Sequence, residues 1–304
     1  MNYKKIIKSQ KIRFKILDTF KFIPDESMIK AQYKIKMGRN LNLKNPTRFS
    51  EKLQWYKLNY RNDLMTTCAD KHGVREFIKQ KGLNDILVKS YGVFKNPNEI
   101  NFKKLPEKFI IKTTNGSGTN FICKDKRTFN NEKVVEILNE WSGRNIFASG
   151  REWSYKNIVP QIIVEELLED NSNEFDGIND YKIMCFNGKA EFIVLDVDRN
   201  IGHKRNIYTK KWEKIDVSTD YPNIDREVKI PSKLAEMITI AETLSKDFPF
   251  VRVDLYLVNE KIYFGEMTFY PWTGYIQFHP DAFDFKIGEK FKLPVKKIMN
   301  ERKK

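Results

Sequence analysis

The sequence predicts an α+β chain, and two observations carry that reading. Helical patterning dominates as far as Gly82. Beyond it, strand-like runs and helices mix, and several neighbouring runs are joined by hairpin turns such as Asn187-Gly188 and Asn259-Glu260-Lys261. No internal repeat or low-complexity tract is present.

In order, residues 1–22 are basic with interspersed Ile6, Ile7, Ile16, Leu17 and Phe20. They read either as an amphipathic helix on an anionic leaflet or as a helix docked on its own domain. Pro24-Asp25 opens a second helix through Met37, stopped by Gly38. Ser50-Glu51 begins a packing helix with Leu53, Tyr56 and Tyr60 on one face. Asp70-Lys71 leads a helix ending at Gly82, and Ile86–Val88, Tyr91–Val93, Phe109–Ile111 and Phe121–Cys123 follow as short strands. A helix over 131–142 shows Val134, Val135 and Leu138 on one face. Strands are expected at 158–168, 181–186 and 190–197, then a helix over 231–246 and a hairpin from Phe250 to Gly274. In that hairpin Val251, Val253 and Leu255 alternate with Arg252, Asp254 and Tyr256.

The bulk numbers narrow the class. The chain has 304 residues, 40% hydrophobic, with 22 Phe, 13 Tyr and 5 Trp, ample for a core. Fifty-five basic against 40 acidic residues give +15, which points to an anionic partner such as a nucleotide, acidic glycan, nucleic acid or membrane surface. Three scattered cysteines exclude a disulfide framework and suit a reducing cytoplasm; three histidines show no metal-ligand spacing. Neither a signal peptide nor a membrane span of about 20 apolar residues is visible, so a soluble cytoplasmic protein is expected.

The polar residues carry the chemistry. Arg252 and Asp254 share a strand face, and Glu266 lies about as far past the turn as Asp254 lies before it, so the hairpin brings the carboxylates together. Two carboxylates and a guanidinium suit magnesium and phosphate, since Mg²⁺ takes one or two carboxylates plus phosphate oxygens. Lys112 ends a strand and runs into TTNGSGTN, where Gly116, Ser117 and Gly118 let backbone N–H groups approach phosphate oxygens. Taken alone, each feature reads equally as a salt bridge or a turn.

Their order is more specific. Asp70-Lys71, Lys112 with its glycine loop, Val164-Glu165-Glu166-Leu167, Arg252-x-Asp254 and Glu266-x-Thr268 together resemble the ATP-grasp fold, two α+β subdomains closing on ATP. FSEKLQWYKL, ADKHGVREFI, FIIKTTNGSG, DYKIMCFNGK, DVDRNIGHKRNIYTKKW and GEMTFYPWTG are similar to the TupA-like branch, associated with teichuronopeptide and other surface-polysaccharide assembly. The resemblance implies a helical N-terminal region (1–69), an ATP-grasp domain (70–285, with a lid subdomain at 70–163 and a metal and substrate subdomain at 164–285) and a basic tail (286–304). It further implies ATP and Mg²⁺ as cofactors. Lys71, Lys112, Gly116, Ser117 and Gly118 would hold phosphates; Glu165, Glu166 and Leu168 would line the adenine hinge, with Lys182 flanking the nucleotide. Arg252 would act on the γ-phosphate together with Lys112, and Asp254, Glu266 and Thr268 would hold the metal. Thr268 departs from the family pattern, which usually has Asn there.

The implied function is a carboxylate–amine ligase joining an amine or amino acid to an acidic glycan or sugar acid, without specific nucleic-acid binding and at most peripheral at the membrane's inner face. The basic run Arg199, His203, Lys204 and Arg205 is a candidate acceptor-carboxylate site or a solvated loop; Trp272, a candidate acceptor residue with Gly274, reads either as stacking on a sugar ring or as core packing. Asp196-Val197-Asp198 supports a competing reading, a metal-dependent glycosyltransferase; a basic glycan- or nucleic-acid-binding protein is a third.

Overall fold

The computed structural model describes residues 10–116, 118–170 and 174–294. Helices α1 (Gln10–Thr19), α2 (Asp25–Met37), α3 (Phe49–Asn59), α4 (Asp63–Ala69) and α5 (Gly73–Gln80) come first. Glu51 starts α3 by accepting the N–H groups of Thr47 and Arg48 at 3.1 and 3.3 Å. The helix that Asp70-Lys71 was expected to lead is α5: Asp70 ends α4 and caps α5, its Oδ1 accepting from the N–H groups of His72 and Gly73 at 2.9 and 2.6 Å.

Two antiparallel sheets follow. The smaller has the order β1 (Ser90–Phe94), β4 (Ile162–Glu166), β2 (Phe109–Thr113), β3 (Asn120–Cys123), backed by α6 (Asn131–Ser142). The run 86–88, expected as a strand, is instead a short 3₁₀ turn and loop before β1. The larger sheet runs β10 (Lys261–Thr268), β9 (Phe250–Val258), β5 (Asp180–Phe186), β6 (Lys189–Val197), β7 (Lys204–Thr209), β8 (Lys214–Ile215). Both hairpin signals are obeyed: Asn187 and Gly188 have φ of 49° and 77°, Asn259 and Glu260 of 49° and 59°, so each turn is two residues long with both φ positive. The second turn therefore excludes Lys261, which pairs with Val258. A small helix, α7 (Ile146–Gly150), lies between α6 and β4 in the chain, and α8 (Leu234–Ser245) and α9 (Ala282–Lys290) complete the fold.

The helical N-terminal region shares the large sheet's core. Phe49, Leu53, Tyr56 and Met65 are fully buried there with Phe250, Ile183 and Phe291, and the Phe49 and Phe250 rings meet edge-on at 5.1 Å. A boundary at residue 69 thus falls within one core, one at 163/164 cuts β4, and one at 285/286 cuts α9. Strand alternation sends Val251, Val253 and Leu255 into this core. The intervening Arg252 and Asp254 are left on the opposite face.

Candidate active site

Register assembles a charged face on the large sheet. Asp254 lies opposite Glu266 on one side and Lys182 on the other; Asp180 lies opposite Asp196, which lies opposite Arg205. All of these except Glu266 are buried, and each is paired, as burial demands. Arg252 donates to both Asp254 oxygens at 2.6 Å and, through Nη2, to Glu266 at 3.1 Å and Thr268 at 3.2 Å. Lys182 bonds Asp180 and lies 3.3 Å from Asp196 and 3.7 Å from Asp254. Burial pushes the Asp254 carboxyl up to about 7 despite Arg252 and Lys182. Burial acts the same way on Glu266, but Arg252, Lys71 and Lys182 outweigh it and hold this carboxyl below its usual range. Glu266, whose side chain is 35% exposed, is the open end of the cluster.

Across from it stands the glycine loop that follows β2. Lys71 donates to Gly116 O at 2.5 Å; burial lowers its pKa while Glu266 is the leading charge raising it, so small-sheet loop and large-sheet carboxylate face one another. Gly116 and Gly118 have φ of 74° and 73°, and a Cβ on Gly116 would meet Ile146 at 3.1 Å. The loop base is pinned by the Thr113 and Thr119 hydroxyls, 2.6 Å apart. Ser117 lies outside the described residues.

The hinge residues are committed differently from the expectation. The Glu165 carboxylate accepts from Lys112 at 2.9 Å and Arg75 at 3.0 Å, and the Glu166 N–H bonds Lys89 O at 2.9 Å. Each Glu165 oxygen thus already accepts from one cation, and the Glu166 N–H is taken by Lys89 O. Leu168 is half-buried beside them. Arg75 lies within the ADKHGVREFI segment, but only the fold shows that it reaches Glu165.

At the far end, the expected basic loop 199–205 is partly strand. Arg205 lies within β7, buried between Asp196 (2.5 and 3.1 Å) and Asp220 (2.7 Å). Arg199 pairs with Asp180 at 3.0 Å with its side chain half exposed, and His203 stacks on Tyr221 at 3.7 Å. The Asp196 and Asp198 carboxylates part company. Burial would raise Asp196, but His203, Arg205 and Lys182 hold it well below the carboxylate range, while Asp198 accepts the Asp176 N–H at 2.8 Å. That arrangement does not form a shared metal site. Trp272 lies between both arginines, 5.4 Å from the Arg205 guanidinium and 5.8 Å from that of Arg252, and Gly274 follows in the same turn.

Among the described residues no group of three or more His, Cys, Asp and Glu could hold a metal by itself. The donors available are two facing carboxylates and the Thr268 hydroxyl, which itself donates to Glu266 at 3.0 Å. All are hard oxygen ligands that suit Mg²⁺ with nucleotide phosphates completing its shell. Among the described residues no helix is long and apolar enough to cross a membrane.

No curated protein matches the chain. Similar solved structures include a D-alanine–D-alanine ligase from Helicobacter pylori (14% identity, 82% of this chain and 70% of that one, TM-score 0.43) and another from Bacillus anthracis (14%, 66% and 56%, TM-score 0.38). A phosphoribosylamine–glycine ligase from Thermotoga maritima shows 15% identity over 69% of this chain and 49% of that one, TM-score 0.38. The chain thus spans about half to two thirds of the length of these structures. The description of the TupA-like ATPgrasp family matches residues 51–292, most of the sequence, and the chain belongs to that family.

Proposed function

We propose that the protein is an ATP- and Mg²⁺-dependent carboxylate–amine ligase that works through an acyl phosphate in the assembly of an acidic surface polysaccharide. The observation that supports it best is Arg252 bridging Asp254, Glu266 and Thr268 opposite the Lys71–Gly116 loop. The substrate class rests on the family association alone.

In this reading Lys71, Lys112 and the backbone of the glycine loop hold the phosphates, and Arg252 lies against the γ-phosphate. Mg²⁺, held by Asp254, Glu266 and phosphate oxygens, supplies charge neutralisation. The acceptor carboxylate attacks the γ-phosphorus and ADP leaves, giving an acyl phosphate. The amine then attacks the acyl carbon, phosphate leaves, and an amide remains. Positioning and charge do the work, so no nucleophilic side chain is required.

The test is phosphate release and thermal stabilisation with ATP–Mg²⁺ against UDP- and GDP-sugars, over a panel of sugar acids and amino acids. Stabilisation by nucleotide sugars and not by ATP would defeat the reading and restore the glycosyltransferase.

We further infer action at the inner face of the membrane. In the described part of 1–22, Ile12, Ile16 and Phe20 are exposed, as is Phe22 just beside them; residues 1–9 lie outside the described residues. Co-sedimentation with anionic but not zwitterionic vesicles checks it; equal behaviour with both would contradict it.

A further inference from the structure

Three consecutive residues of the turn after β10, Trp272, Thr273 and Gly274, have φ of 53°, 55° and 70°. Only the last is glycine, so two side-chain-bearing residues sit in the left-handed region, at a cost of order 1 kcal/mol each. Such a conformation persists only where its surroundings impose it, and here the helical N-terminal region does so. From α3, Lys57 Nζ donates to Thr273 O at 2.8 Å and to Gly150 O at 3.0 Å. One turn earlier, Gln54 Nε2 donates to Gly274 O at 2.8 Å and Thr273 O at 3.2 Å. From the other side, Glu152 takes a side-chain hydrogen bond from Thr273. The fit leaves no slack: a Cβ on Gly150 would lie 2.6 Å from Thr273 Cγ2, and one on Gly274 2.4 Å from Gln54 Nε2. What the turn presents is the Trp272 ring beside Arg252 and Arg205.

We propose that Lys57 and Glu152 are positioning residues of the acceptor end of the site, acting through this turn to set the Trp272 ring beside Arg252. The proposal rests on the ligase reading for its meaning, but its geometry stands without it.

A second property follows from the same contacts. Lys57 is 1% exposed, and burial lowers its pKa to about 7, with Glu152 opposing and Lys36 adding to the shift. Tyr275, whose ring lies 4.8 Å from Lys57 Nζ, and Arg61, which donates to Lys57 O, complete its polar surroundings. The two carbonyls satisfy the two donors of a neutral amine. Its charge therefore changes near neutrality while the amine is bonded to the backbone of the turn.

The experiment is ¹⁵N NMR of the tryptophan indoles in the full chain, with the Trp272 signal assigned by Trp272→Phe. In the wild type the signal should move with a midpoint near pH 7. In Lys57→Met the movement should shrink to what Asp254 imposes through Arg252, and in Glu152→Gln the Lys57 part of it should move to lower pH. A wild-type Trp272 signal that is flat from pH 6 to 8.5, or one that titrates unchanged in Lys57→Met, would overturn the proposal. If Lys57→Met does not fold, Glu152→Gln decides: an unmoved midpoint overturns it. A wild type that binds no ATP would defeat the ligase reading while leaving the Trp272 titration intact.

Discussion

At the scale of residues, the account depends on charges that are buried only because they are paired. Arg252 is the sharpest case, since one guanidinium serves Asp254, Glu266 and Thr268. Arg252→Met leaves two carboxylates facing each other without their cation. It should destabilise the fold by about 3–5 kcal/mol, read by urea unfolding. Arg252→Lys should recover only part of this, because an ammonium cannot reproduce the forked contact to Asp254. Lys57 gives a pH signature. Its folded pKa lies near 7 against 10.5 in the unfolded chain, so between these values the unfolded state binds more protons. The cost of burying its ammonium is present in full below pH 7 and fades as pH rises. Unfolding free energy of wild type relative to Lys57→Met should therefore increase from pH 7 to 9; a constant difference would contradict the assignment.

At the scale of elements, the glycine loop and the hairpins were legible because backbone demands show in residue choice. Asn187-Gly188 announced its turn, and the 250–268 alternation announced which side chains would share a face. Arg75 and Glu165 were not legible as partners, because a cross-element ion pair leaves no periodic trace in either segment. Strand β7 was missed for a related reason. Its lysine and arginine look like a solvated loop until Asp196 and Asp220 are seen to neutralise Arg205. The loop itself yields a contrast. Gly116→Ala meets both a positive φ and Ile146 at 3.1 Å, whereas Gly118→Ala meets only the positive φ. Each should cost about 1 kcal/mol of stability. Gly116→Ala should also weaken ATP–Mg²⁺ binding more, as measured by titration of both variants.

At the scale of the whole molecule, the N-terminal helices are part of the large sheet's packing. They fill the large sheet's core through Phe49, Leu53 and Tyr56, and the same α3 helix brings Gln54 and Lys57 to the turn that carries Trp272. Their sequence announced helices and an apolar stripe, yet nothing in it announced that the stripe would pack under an active site. The family's order of lysine, glycine loop, hinge, arginine and paired carboxylates was readable, because each lies in a short segment of fixed local form. How the two sheets meet depends on contacts between distant segments and had to come from the fold. The central claim is that Glu266 and the Lys71 loop close on one nucleotide. Calorimetric titration of ATP with and without Mg²⁺, for wild type and Glu266→Ala, tests it most directly. Wild type should bind ATP more tightly with Mg²⁺ than without, and Glu266→Ala should lose that increment; equal magnesium dependence in both proteins would contradict the account.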